Sequence, residues 1–243
     1  MFRSITLLSL LLLAAASTAA VPPAKIKINP APSADLHYSV KARQSGLVIN
    51  GDTLMQWSAS GKSYSIATET RAMLVGKILN EKSEGAIDDY GLAPAAFTET
   101  RFRKGPATAS FNRQTNTISF TESPQTYPIK GGEQDRASAM WQLISMARAA
   151  PAKFKPGSSW TFFVAGQRDA DPWTFKIGKQ EKLKTALGNV NALHVVKVPV
   201  SGAKGQQLDI WLAPSMEWYP VRLRMAESDG EYIEQNLEKI AKK

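Results

Sequence analysis

Cysteine is absent from all 243 residues. That excludes a disulfide framework, a thiolate nucleophile, a thiolate metal site and an N-terminal lipid carried on cysteine. Histidine occurs only twice, as His37 and His194, so a zinc site would need carboxylates to complete it. Long apolar runs are also missing. The one apolar stretch, Leu7 to Ala16, falls short of the ~20 residues a spanning helix needs. Acids are in deficit, 21 against 30 Lys and Arg.

The short apolar stretch has a different meaning. Arg3 precedes it and Ser17, Thr18, Ala19 and Ala20 follow, so residues 1–20 are read as a secretory signal peptide cleaved after Ala19 or Ala20. The expected compartment is a bacterial periplasm, and without cysteine the chain is not a lipoprotein. Loss of Arg3 lowers the net charge from the +9 of the whole chain to +8. A basic protein in that compartment meets lipid headgroups, glycolipid phosphates and acidic polysaccharide, while nucleic acid is excluded as a partner. The basic residues are scattered, apart from "RFRK" at Arg101 to Lys104.

Residues 21–34 carry four prolines and no hydrophobic period, and read as a linker or extended arm. From there to about residue 240 a single β-rich domain is expected. In "LHYSVKA" residues Leu36, Tyr38, Val40 and Ala42 alternate with polar neighbours. "DTLMQWSA" and "SYSIATET" flank the turn-rich "SGKS", and further alternating segments follow with turn chemistry such as "KGP", "RQTN", "LGN" and "SDG" between them. One segment differs. "DRASAMWQLISMARAAP" sets Met140, Leu143, Ile144 and Ala147 at helical spacing, with Asp135 as N-cap and Pro151 as stop. The expected fold is mainly β: a large curved antiparallel sheet, or open half-barrel, of about 12 strands with one covering α-helix over about 136–150. A transmembrane barrel is rejected, because one face of most strands carries charge, as in "TETRFRK".

Catalytic signatures are few. "SASGKS" lacks the first glycine of a phosphate-binding loop, since position 56 is Gln56. No G-x-S-x-G elbow occurs. His37 and His194 each sit inside a strand pattern and read as surface or satisfied core. Asp169 and Asp171 in "RDADPW" fail the calcium-loop spacing and read as a turn ended by Pro172. Asp88, Asp89, Asp135 and Glu227 are the acids that would have to converge for glycosidic chemistry. No metal and no cofactor is expected.

The stretch "LDIWLAPSMEWYPVRLRM" is the most distinctive. If Leu208, Ile210 and Leu212 face inward with Tyr219, Val221, Leu223 and Met225, then Asp209 and Trp211 share the other face with Trp218, Pro220, Arg222 and Arg224. That face is either a cross-strand ion-pair network or an aromatic and arginine platform for a sugar or an anionic headgroup. Pro220 inside the strand marks an edge or a bulge.

The helix "DRASAMWQLISMAR", the segment "ALGNVNALHVVKV" and above all "LDIWLAPSMEWYPVRLR" resemble the bacterial envelope proteins of the domain of unknown function 3108 family, over about Leu36 to Leu237. The resemblance implies an exported, mostly antiparallel β protein and carries no established activity. The layout is also similar, more loosely, to periplasmic lipoprotein carriers, which have a curved sheet partly closed by a helix. The expectation is a non-catalytic module binding an amphipathic or anionic envelope component. Trp141, Met140 and Ile144 on the helix, with Trp57 and Trp211 on strands, are its candidate lining. An enzyme acting on envelope polysaccharide and a scaffold for an outer-membrane partner stand as alternatives.

Overall fold

The computed structural model describes residues 24–199 and 207–243. Fifteen strands form one sheet. The N-terminal wing is a meander of hairpins: β1 (Ala34–Gln44), β2 (Leu47–Ser60), β3 (Ser63–Ala72), β4 (Gly76–Asp88), β5 (Gly91–Arg101), β6 (Pro106–Asn112), β7 (Thr117–Phe120) and the short β8 (Thr126–Pro128). The C-terminal wing comprises β9 (Gln134–Asp135), β10 (Ser159–Ala165), β11 (Ala170–Thr185), β12 (Gly188–Val198), β13 (Gln207–Leu212), β14 (Pro220–Ala226) and β15 (Tyr232–Lys242). Pairing of β1 with β15 joins the wings at the middle of the sheet. Every pairing is antiparallel except the two-residue β9 along β10.

Fifteen strands stand against an expected dozen, for local reasons. β11 is one long strand with its register shifted between Ile177 and Gln180, which adds nothing to the count. Two short edge strands, β8 and β9, carry too few residues to show a period. Asp171 and Pro172, expected in a turn, already lie in β11.

The sheet is open but rolled. Phe97, Ala109, Phe111 and Ile118 of β5–β7 pack against Ala165 and Ala170. Those two alanines are out of phase with Phe162 and Val164, which join the main core. The inner face of one wing therefore covers the outer face of the other wing's edge. Tyr127 meets Phe163 edge-on at 5.5 Å, and the Gln167 amide donates to Glu99 Oε1 at 2.7 Å. Side chains, with no hydrogen-bonded ladder, hold this overlap.

The helix α1 (Ser138–Ala149) lies inside the roll. Nine of its twelve residues are buried, including the polar Ser138, Gln142 and Ser145, so the covering helix is itself enclosed, a plug within the roll. Asp135, the expected N-cap, stands two residues before the observed N-cap, Ala137, and still binds the start of the helix. Its Oδ1 accepts from the backbone N–H groups of Ala137 and Ser138, and its own N–H donates to Ser138 Oγ. Residues 24–33 have no regular structure, yet they dock on the helix. Asn29 N–H donates to Ser145 O, while the carbonyls of Ala31 and Pro32 accept from Trp57 Nε1 and Tyr219 Oη.

Candidate functional site

Strand alternation and the register give the inner face its contents. Near the helix that face is closed: Leu36, Tyr38, Trp57, Val195, Ile210, Val221 and Leu237 are at most 2% exposed. Towards the end where β1 turns into β2, the same face opens. A continuous cross-strand row there runs Lys197, Leu208, Met225, Ile233, Ala42 and Ile49 from β12 to β2. All but Ala42 keep accessible surface. The adjoining row contributes half-buried Leu223 beside Gln235, whose Oε1 is buried without a hydrogen-bond partner. Few native side chains leave an acceptor in that state.

One end of this apolar strip is charged. Lys197 pairs across the ladder with Phe175, and its Nζ stands 3.9 Å from the centre of the Trp173 ring. Burial holds the Lys197 pKa below its ordinary value, with Asp171 pulling the other way. A half-buried cation on an aromatic face, next to exposed aliphatic side chains, is suited to a molecule with an anionic head and an apolar body. The sequence carried a signal for it: Lys197 falls in phase with Leu193 and Val195, where a core-facing strand would place another apolar residue.

On the opposite face some of the residues expected to share a surface come together. Asp209 lies across from Arg224 and Trp211 from Arg222. His194 stacks on Trp211 at 4.6 Å and 7°, and Arg222 lies over the same ring at 5.6 Å. These side chains already have partners within the sheet. His194 Nε2 is 2.7 Å from Asp209 Oδ1, Trp211 Nε1 donates to Glu181, Arg222 to Asn236 and Arg224 to Glu234. Trp218 does not join them. A bulge where Trp211 gives way to Leu212, opposite Pro220, breaks the alternation. Glu217 and Trp218 also adopt left-handed backbone angles. Trp218 turns instead towards Phe154 and, with Leu193, Pro214 and Lys155, lines a shallow cleft of about 350 Å³.

The helix-side candidates lie in closed packing. Trp57, Trp141 and Ile144 are 0% exposed, and the half-buried Met140 packs against the same core. Nor do the four acids converge. Asp88 and Asp89 sit at the β4–β5 turn, Asp135 is buried at the helix start, and Glu227 follows β14 at the other end of the sheet. A different acidic pair does face itself: Glu81 lies directly across from Glu99 on the inner face of β4 and β5. Burial first, then Glu99 and Asp135, push the Glu81 carboxyl up to about 7. Burial also raises Asp135 to about 6, against the bonds it accepts from Ser83, Ser138 and Ala137. Among the described residues, no group of His, Asp and Glu could hold a metal ion, and no helix is long and apolar enough to cross a membrane.

Comparison with solved structures places this architecture. A beta-barrel-like protein of the domain of unknown function DUF1849 from Brucella abortus superposes with a TM-score of 0.59 at 13% identity, covering 89% of this chain and 99% of that one. At that identity the likeness is one of fold. A protein described as exported, with a YmcC-like fold, from Bacteroides fragilis gives 0.32 at 9% identity, over 90% and 100% of the two chains. A domain described as an outer membrane lipoprotein-sorting protein from Vibrio parahaemolyticus gives 0.29 at 8%, over 87% and 86%. No curated protein matches the sequence. The model of one family, described as a protein of unknown function, covers residues 35–238, and the chain belongs to that family, DUF3108.

Proposed function

We propose that this is a non-catalytic protein of the bacterial periplasm that binds an amphipathic, anionic component of the cell envelope, a lipid or glycolipid, along the open part of its inner face. One observation carries the reading. The inner face changes, along the same strands, from closed core at Ile210 and Leu237 to an accessible apolar strip at Leu208, Met225 and Ile233 that ends on Lys197. Core-facing aliphatic side chains in the middle of a large sheet are normally covered, and a strip left accessible marks a binding surface. The basic balance of the chain, +9 overall, favours an anionic head.

The test is titration of the purified mature chain with a fluorescent long-chain fatty acid. Saturable binding is expected, lost in Met225→Glu and weakened in Lys197→Ala. Failure to saturate, or Met225→Glu binding like the parent, removes the reading. Native mass spectrometry of protein released gently from its own periplasm then identifies the natural component.

A further inference from the structure

Seven of the eight large apolar side chains that are exposed among the described residues lie at one end of the sheet, and only Leu187 lies at the other. Six of the seven sit on three successive hairpin tips. The β1–β2 tip presents Leu47 and Val48, the β3–β4 tip Met73, Leu74 and Val75, and the β5–β6 tip Phe102. In a meander, alternate turns fall on the same side. With strands ~4.8 Å apart, the three tips span roughly 20 Å. Leu74 is 99% exposed and Met73 80%, so neither has any packing role in the free protein.

The charge on these tips is of one sign. "RQSGLV" (43–48), "RAMLVGK" (71–77) and "RFRKG" (101–105) contain six cations and no acid. Glu69 answers Arg71 and Lys77, and Glu99 answers Arg101, while Arg43 shares a hollow with Asp229 and Glu231, which leaves the local excess on exposed Arg103 and Lys104. Arg103 lies over the Phe102 ring, 4.8 Å from its centre, in the arrangement of an aromatic and a cation sharing an interface between apolar and wet phases. The neighbouring β14–β15 tip is acidic, with Asp229 and Glu231, and bounds the patch on that side.

We infer that the three tips form a docking surface for an anionic bilayer: Met73 and Leu74 enter the acyl boundary while the flanking arginines and lysines hold the phosphate layer. An apolar tip set in a cationic collar fits a negatively charged lipid surface. It does not fit a second copy of the chain, whose matching tips would meet like charge. The tips adjoin the open end of the inner-face strip, Val48 preceding Ile49, but share no residue with it, and neither proposal depends on the other.

Vesicle co-sedimentation tests it. The mature chain is expected to pellet with vesicles of phosphatidylcholine mixed with phosphatidylglycerol and to be released by high salt. The Met73→Asp/Leu74→Asp double variant is expected to lose about tenfold or more in partitioning. Leu187→Asp at the far end serves as control and is expected to bind like the parent. Because these side chains are solvent-exposed, both variants should melt as the parent does, so lost binding is not lost folding. Equal binding to pure phosphatidylcholine overturns the inference. So does a double variant that partitions normally, or self-association through the tips without vesicle binding.

Discussion

Trp57 of β2 and Trp141 of the helix stack with ring centres 4.3 Å apart and planes 7° from parallel, yet only one of the two indoles is satisfied. Trp57 Nε1 donates to Ala31 O at 2.9 Å, whereas Trp141 Nε1 is buried with no partner. The asymmetry predicts unequal substitutions. Trp57→Phe strips the Ala31 carbonyl of its donor and loosens the N-terminal arm, at a cost of about 1–3 kcal/mol. Trp141→Phe keeps the stack and deletes a donor that bonds to nothing, so it should cost at least ~1 kcal/mol less than the first change. Urea midpoints measured side by side decide it. Equal losses would mean that Trp141 Nε1 has a partner, such as a buried water.

The acids beneath the overlap make stability depend on pH in a defined direction. Glu81 is raised from 4.5 to about 7 and Asp135 from 3.8 to about 6, so the folded chain holds these protons more tightly than the unfolded one. Their stabilising contribution is complete below the unfolded values and is lost as pH rises through about 6 and then about 7. Glu69, held low by Lys77 and Arg71, works in the opposite sense, but its window lies below 4.5. The melting temperature should therefore fall between about pH 4 and about pH 7 and level off above that. Glu81→Gln should flatten that slope and exceed the parent in stability at the alkaline end. A slope unchanged in Glu81→Gln would show that this carboxyl does not titrate there.

On the outer face, burial separates pairs that look alike in a contact list. Asp209 is 5% exposed and accepts from His194 and from Gln207 Nε2 at 2.8 Å. Asp209→Ala leaves both partners short and should cost about 1–3 kcal/mol. Arg224 and Glu234, at 3.0 Å, are each a quarter to a third exposed, and Arg224→Ala should cost ~1 kcal/mol or less. Neither change should alter fatty-acid affinity if the ligand lies on the inner face. A tenfold loss of affinity in Arg224→Ala with stability intact would move the site to the arginine face instead.

These contrasts also mark how far the letters reach. The register of β13 against β14 was readable, because "LDIWL" and "VRLRM" have one oily and one charged phase, and only one pairing buries the oily one. Pro220, which lacks an N–H for the ladder, marked an edge or a bulge, and a bulge stands opposite it. The position of Trp218 was not. It depends on two successive left-handed residues, Glu217 and Trp218, neither of them glycine, and nothing in their side chains announces that angle. The docking of residues 24–33 was equally hidden, since beyond Ile26, Ile28 and Ala31 it is held by backbone groups that carry no residue-specific signal. The helix pattern foretold burial of Leu143 and Ile144. It could not foretell burial of Gln142, whose partners come from the distant β4–β5 turn, or of Ser145, whose hydroxyl is satisfied within the helix by Trp141 O.

Gln142 itself supplies the sharpest test of how the plug is seated. Its Oε1 accepts from Leu92 N–H at 2.8 Å and its Nε2 donates to Tyr90 O at 3.0 Å, so one amide clamps the helix to the β4–β5 turn. Between those two residues is Gly91, at φ +103°, where a Cβ would overlap the Gln142 amide. Gly91→Ala therefore combines an unfavourable backbone angle with eviction of the clamp, and a loss of about 3 kcal/mol or more is expected. Gln142→Ala removes the clamp but leaves the turn relaxed, and should cost about 1–3 kcal/mol. In the double variant the Gly91→Ala penalty should shrink, because the amide it collides with is gone. Denaturant titration of the four proteins closes the cycle. Strict additivity would mean that the glycine is needed for its backbone angle alone and that the helix is seated by its apolar contacts.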